Sequence, residues 1–157
     1  MITQSYLTDW NYKINGACIE VHKHLGSGLL ESVYCEALKE EFALRNINFK
    51  SEFRIDVIFK EKVLNCDFRC DFLIEEIIVL EIKSVKRIED IHKAQLLNYM
   101  GLLKAPKGIL INFNVKNIFH EGQETFVNKY YEQLMWFFIN HKSHKRKSKN
   151  SLFKVEC

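Results

Sequence analysis

Proline and glycine are scarce in this chain: Pro106 is the one proline, and six glycines are spread over 157 residues. That excludes collagen-like and Gly/Pro-rich disordered classes and leaves few places where a turn is forced. No apolar run approaches ~20 residues, so no membrane span and no membrane partner are expected. The first residues, Met1 to Tyr6, lack the basic and then apolar segment of a signal peptide, and a cytoplasmic location is expected. Cysteines number five, an odd count, and Cys18, Cys35, Cys66 and Cys70 all fall in apolar-periodic positions. Buried free thiols in a reducing compartment follow from that. Cys66 and Cys70, placed on one strand, share a face but have no second cysteine pair, so zinc is not expected.

What is present describes a folded domain. The apolar fraction is 47% and the charged fraction 27%, enough of both for a soluble protein of this length to bury a core. The net charge of +3 is unevenly placed: five of the 23 bases lie between His141 and Lys149, where there is no acid. The remaining 18 bases face 20 acids, so the body is slightly acidic. A basic tail on such a body suits a polyanionic partner, or is a solvated, mobile end. The expected organisation is a domain over residues 1–128, an aromatic segment over 129–140 and a basic tail over 141–157. No internal repeat is visible.

The chain is organised around residues 67–99. From Leu64 to Phe72 the even positions are apolar and the odd ones polar, the period of a half-buried strand with Asp71 on its polar face. Glu75-Glu76 breaks the pattern as a turn would. Ile77-Ile78-Val79-Leu80 is a continuous apolar run, which reads as a strand covered on both sides. At its far end stand Glu81 and Lys83, on one face and roughly 7 Å apart along the strand. Buried charges there are costly unless paired or bound to an ion.

Before this centre, Ile14, Ala17, Cys18, Val21 and Leu25 predict a helix over residues 8–25, stopped by Gly26. A second helix is expected over 29–45, with Leu30, Val33, Tyr34, Ala37 and Leu38 on one face and Glu31 beside it. A strand is expected over 49–59, joined through Lys60-Glu61-Lys62 to the Asp71 strand. After the centre, Asp90 is expected to cap a helix whose core face holds Ile91, Ala94 and Leu97, with Met100 and Leu103 as further candidates. Residues 108–113 then form a strand that a helical crossover can lay parallel to the Glu81 strand. Residues 118–127 predict an edge strand or a hairpin around Gly122. The aromatic run from Tyr130 to Ile139 predicts a helix packed on the domain or on a second copy in a homodimer, with a base-stacking platform as the alternative.

Acids brought together from separate elements repel, and a bound divalent cation is the usual way such a cluster is tolerated. Oxygen donors without a His/Cys set select Mg²⁺ or Mn²⁺. Such a cation activates water and holds a phosphoryl oxygen, the chemistry of phosphodiester hydrolysis. Lys83 beside it can orient or deprotonate the attacking water and offset charge in the transition state, so it is expected to serve chemistry more than folding. Gln95 and Tyr99 stand at i, i+4 on one helix face, where an amide and a phenol could bind phosphate or a base edge.

These residues carry a family resemblance. Gly28-Leu-Leu-Glu31-Ser-Val-Tyr34 is similar to the signature of the GxxExxY proteins, and Asp71 with Glu81-Ile82-Lys83 resembles the PD-(D/E)xK nuclease core. Gln95 to Tyr99 resembles the Q-x-x-x-Y motif of the RecB-type branch, and the likeness runs from about Ile14 to Asn114. It implies an α/β fold with a restriction-endonuclease-like core, a central mixed sheet of about four strands flanked by helices. It also implies metal-dependent cleavage of nucleic acid, DNA ahead of RNA. Glu31, Asp71, Glu81 and Lys83 would be catalytic, and Glu31, Asp71, Glu81 and the carbonyl of Ile82 would hold the metal. Gln95 and Tyr99 would bind substrate. Cys70 stands where a proline often precedes the Asp. Some relatives hold an iron–sulfur cluster through several late cysteines; here only Cys157 follows the last motif, so no iron–sulfur cluster is expected. An early histidine is a metal ligand in such relatives, and His22 is the candidate, with a structural role as the alternative. A second class of function, a nucleic-acid-binding or regulatory module with little turnover, stays open on the same fold.

Overall fold

The computed structural model describes residues 2–134; most of the aromatic segment and the whole basic tail lie outside the described residues. Helix α1 spans Gln4–Leu25, longer than its apolar stripe suggests. It starts earlier because Thr3 Oγ1 accepts the Tyr6 N–H (2.9 Å), an N-cap that the stripe does not reveal. It ends at Gly26, whose φ of 71° suits a residue without Cβ. Helix α2 covers Glu31–Leu44 and buries Tyr34, Leu38 and Phe42. Leu30 and Val33, expected on that face, are exposed, because the helix starts only at Glu31 and turns Tyr34 inward.

Among the described residues seven strands follow: β1 (Phe49–Arg54), β2 (Ile58–Phe59), β3 (Lys62–Val63), β4 (Arg69–Ile74), β5 (Ile78–Lys83), β6 (Lys107–Asn112) and β7 (Gln123–Val127). Five of them form one sheet in the order β1-β4-β5-β6-β7; β2 and β3 form a separate small hairpin. Only β5 and β6 are parallel, joined through helix α3 (Asp90–Leu103); all other neighbours are antiparallel. The mixed α/β architecture is the expected one, with one strand more than the expected four.

All six residues of β5 are buried, as its apolar run requires. Ile78, Leu80 and Ile82 join the core beneath α1 and α2, while Val79 joins Leu96, Tyr99 and Met100 of α3 on the other face. The expected core face of α3 is corrected in part: Ile91, Ala94 and Leu97 are exposed, while Met100 is buried with Leu96 and Tyr99 against the sheet and Leu103 packs beside them. Apolar residues surround this helix, so the sheet chooses its face. Its N-cap is Glu89, which forms a capping box with His92, so Asp90 is the first helical residue.

Two strand boundaries also move. The chain leaves the sheet after Arg54, and Ile58, Phe59 and Val63 of the β2–β3 hairpin are exposed. Strand β4 begins only at Arg69, so Cys66 lies outside it and is exposed, not a strand residue sharing a face with Cys70. Between α3 and the C-terminal strand, helix α4 (Ile118–Glu121) precedes β7, which pairs with β6 as the edge strand. Tyr131 and Leu134 of the following helical segment pack against the α1–α2 core. No helix among the described residues is long and apolar enough to cross a membrane.

Candidate active site

Strands β4 and β5 pair from Ile74↔Ile78 to Phe72↔Leu80 and then part. Beyond that point the backbone of Ile82 has no β4 partner, and Asp71 Oδ2 accepts its N–H at 2.7 Å. A strand residue directs N–H and C=O to the same side, so the Ile82 carbonyl also points into this gap. Glu81 and Lys83 flank Ile82 and are both buried, with Lys83 Nζ donating to Glu81 Oε1 at 2.9 Å. Glu81 Oε2 is buried and has no hydrogen-bond partner.

Glu31 arrives from the other side. It is the first residue of α2, where a carboxylate is favoured by the helix dipole, and its Oε1 accepts the Ser84 N–H at 3.4 Å. Ser84 Oγ donates to the Leu29 carbonyl at 2.5 Å, which ties the end of β5 to the connection before α2. Tyr34 holds that connection from within. Its hydroxyl donates to the Gly26 carbonyl (2.7 Å) and accepts the Leu29 N–H (3.1 Å), and its ring stacks on Phe113 at 4.3 Å. Glu31 and Tyr34 of the Gly28–Tyr34 motif thus divide the work: one supplies an acid, the other shapes its approach.

These groups act on one another's charge. Burial, then the Asp71 charge, pushes the Glu81 carboxyl up to about 7 against the pull of Lys83. Burial also raises Asp71, with Glu31 and Glu52 adding to it; the Ile82 N–H and Lys83 oppose the rise without cancelling it. Burial alone would lower the Lys83 ammonium, but Glu81, Glu31 and Asp71 together hold it above its ordinary value. The Cys35 thiol, one turn after Glu31, is pushed up to about 12 by burial and then by Asp71, Glu31 and Glu81. A single thiol therefore feels all three acids.

Gln95 and Tyr99 stand over this region from α3. Gln95 Nε2 donates to the Tyr99 hydroxyl at 2.9 Å, and Phe68 packs against the Tyr99 ring at 4.7 Å. Burial, then the charge of Glu81, pushes the Tyr99 phenol up to about 12. His22 is committed elsewhere: its Nε2–H donates to the Val115 carbonyl at 2.9 Å, a contact that holds α1 against the loop after β6. The structural alternative for His22 accounts for that nitrogen.

The sequence named Cys35 only as a buried free thiol, which is in fact half-buried, and did not single out Glu52, Ser84 or Asn112. Asn112 alone had a visible signal, a polar residue ending an apolar strand; it is 3% exposed. As the side chains stand, no group of three or more His, Cys, Asp and Glu among the described residues is arranged to hold a cation by itself. The donor chemistry nevertheless fits a small hard cation, which keeps several waters and takes only one or two carboxylates. Two repelling acids, the half-buried Asp71 and the buried Glu81 with its unpartnered oxygen, are that kind of donor set.

No curated protein and no solved structure matches the chain significantly. The sequence profile of the PD-(D/E)XK nuclease superfamily matches residues 8–126, a span that runs from α1 to β7 and contains every group just described. With an Asp and an E-x-K set meeting where two central strands part, and a match over three quarters of its length, the chain belongs to the PD-(D/E)XK nuclease superfamily.

Proposed function

We propose that the protein is a divalent-metal-dependent nuclease that hydrolyses phosphodiester bonds, with DNA ahead of RNA as substrate. The observation that carries this reading is Glu81 Oε2, a buried carboxylate oxygen with no partner, beside an Asp71 that is itself raised by burial. An orphaned buried acceptor is expensive, and a cation satisfies it where a neutral donor is absent.

In this reading Asp71, Glu81 and the Ile82 carbonyl hold Mg²⁺ or Mn²⁺, and Glu31 adds charge from α2. Bound there, the cation would supply a lowered pKa for water and a charge on the phosphoryl oxygens. Lys83, which Glu81, Glu31 and Asp71 hold above its ordinary value in the metal-free protein, would donate to the phosphoryl group or orient the attacking water. Tyr99 keeps its proton, and its oxygen already accepts from Gln95. Its O–H is therefore free to donate to a phosphate oxygen or base edge. No zinc and no iron–sulfur cluster enter this scheme. Membership of the GxxExxY family and the RecB-type branch belongs to the same proposal, supported by the Gly28–Tyr34 and Gln95–Tyr99 motifs. So does a cytoplasmic location, which suits the four free described cysteines.

The test is cleavage of labelled single- and double-stranded DNA and RNA with Mg²⁺, Mn²⁺ or a chelator. Cleavage should need the cation and be lost in Asp71→Asn and Glu81→Gln. Titration calorimetry should show saturable Mn²⁺ binding that Asp71→Asn weakens. Binding of nucleic acid without any cleavage would instead give the regulatory module.

A further inference from the structure

The loop that follows Lys83 is held in place before it becomes exposed. Asn112, at the end of the parallel neighbour β6, grips Val85 by both backbone groups. Its Oδ1 accepts the Val85 N–H at 3.1 Å and its Nδ2 donates to the Val85 carbonyl at 2.8 Å. The next two side chains, Lys86 and Arg87, line a cavity of about 570 Å³ with Val85, Glu89 and His92. That is the size of a pocket that takes a small ligand or part of a larger one.

The charge in this cavity is unbalanced. Among the described residues neither Lys86 nor Arg87 has a carboxylate within 4.0 Å, which is equally true of other exposed bases such as Lys13 and Lys60; what sets these two apart is that they line one cavity. The one acid in the lining, Glu89, accepts the His92 N–H as the cap of α3. That cap already serves the helix terminus, so the free donors are side chains. His92 Nδ1 accepts the Glu89 N–H at 3.0 Å, which places the ring proton on Nε2 and makes it a third donor. An ammonium and a guanidinium on the clamped loop, with an imidazole N–H from the first turn of α3, form a site for tetrahedral oxyanions.

The geometry points to a phosphate subsite: Lys86, Arg87 and His92 Nε2–H take a backbone phosphate of the nucleic-acid strand next to the one at Lys83. This rests on the nuclease reading for its substrate but on separate residues for its evidence. Phosphodiester chemistry is common to DNA and RNA, and the subsite reads no base.

The test measures binding with chelator present, so that nothing is cut. Fluorescein-labelled single-stranded DNA, duplex DNA and single-stranded RNA are titrated at several KCl concentrations. The Lys86→Ala/Arg87→Ala protein should bind roughly tenfold more weakly, with a slope of log affinity against log salt shallower by about 1–2. Lys86→Gln/Arg87→Gln should do the same and keep more of the packing. Lys13→Ala/Lys50→Ala, which removes equal charge from exposed positions outside the cavity, should change neither. Unchanged affinity and slope in the Lys86/Arg87 variants, or an equal loss in the Lys13/Lys50 control, overturns the subsite. Cleavage is scored separately with Mg²⁺. A wild type that binds with this Lys86/Arg87-dependent slope and cuts nothing overturns the nuclease reading and leaves the subsite standing. One that cuts while the variants bind unchanged overturns the subsite alone, and one that binds none of the three strands overturns both.

Discussion

Glu81 has a cation on one oxygen and nothing on the other, and this asymmetry makes it the residue most sensitive to conditions. Its carboxyl is raised from an ordinary 4.5 to about 7, so over that window the folded protein keeps a proton that the unfolded chain has lost. The corresponding stability is whole below about 4.5 and is lost as pH rises through about 7, by at most about 3 kcal/mol. Metal-free protein should therefore melt several degrees lower at about pH 8 than at about pH 5. Glu81→Gln should flatten that difference, and Mg²⁺ should restore the melting temperature of the wild type at the higher pH. Thermal melts of both proteins across the window decide it; identical slopes for the two would remove Glu81 as the cause. Lys83→Ala should abolish cleavage, but the structure changes the expected cost to folding. The ammonium is buried against Glu81, so removing it leaves an uncompensated acid and should cost about 1–3 kcal/mol near pH 8, less near pH 5. Chemical denaturation at the two pH values measures the difference, and a cost equal at both would refute the pairing argument.

At the scale of elements, two junctions carry strain or close contact that can be tested without touching the site. The β4–β5 turn puts Glu75 and Glu76 at φ of 51° and 60°, with the Ile77 N–H bonded to the Ile74 carbonyl. That is the mirror-image turn that suits a hairpin's twist and favours Asn-Gly. Glu76 also pairs with Lys50 at 2.6 Å, but both are exposed, and such a pair adds little. Glu75→Asn/Glu76→Gly should therefore stabilise by about 1 kcal/mol, read as a higher denaturation midpoint with cleavage unchanged. A lower midpoint would show that the ion pair outweighs the backbone. Gly108 on β6 is the second junction, since a Cβ there would press on Met100 Sδ and stand 3.0 Å from Leu96 Cδ1. The helix that carries Gln95 and Tyr99 lies directly on this glycine. Gly108→Ala should cost about 1–3 kcal/mol and shift α3 outward, lowering kcat with it. Normal stability in that variant would mean that Met100 moves aside freely.

Over the whole molecule, the ends of the two parallel strands supply Lys83 and the loops beside the proposed site, while Asp71 comes from β4, Glu31 from α2 and Tyr99 from α3. Lys83 closes β5, Asn112 closes β6, and the loops after them carry Lys86, Arg87, Val115 and Lys116 on the same edge of the sheet. Ligand sites in sheets with parallel strands form at such C-terminal edges. The basic tail, residues 141–157, lies outside the described residues but would add five cations to a body that has slightly more acids than bases. Deleting it should weaken nucleic-acid binding and flatten its salt dependence, with the heat of Mn²⁺ binding unchanged. Fluorescence anisotropy at two salt concentrations tests this, and equal affinities with and without the tail would leave the body alone to hold the substrate.

The sequence by itself determined the centre of this protein. The alternation up to Asp71, the unbroken apolar run of β5 and the E-x-K at its end follow from side-chain period and burial alone, and the helical crossover to the apolar strand at 108–113 allowed the parallel β5–β6 pair. It could not choose the face of α3, where Ile91, Leu97 and Leu96 are equally apolar and only contact with the sheet separates them. Nor could it end β1 at Arg54 or start β4 at Arg69, because alternation continues beyond the point where the partner strand is lost. The parting of β4 and β5, the orphaned oxygen of Glu81 and the grip of Asn112 on Val85 join residues distant in the chain. Only the tertiary structure decides them, since burial and hydrogen bonding there depend on which strands stop pairing and where.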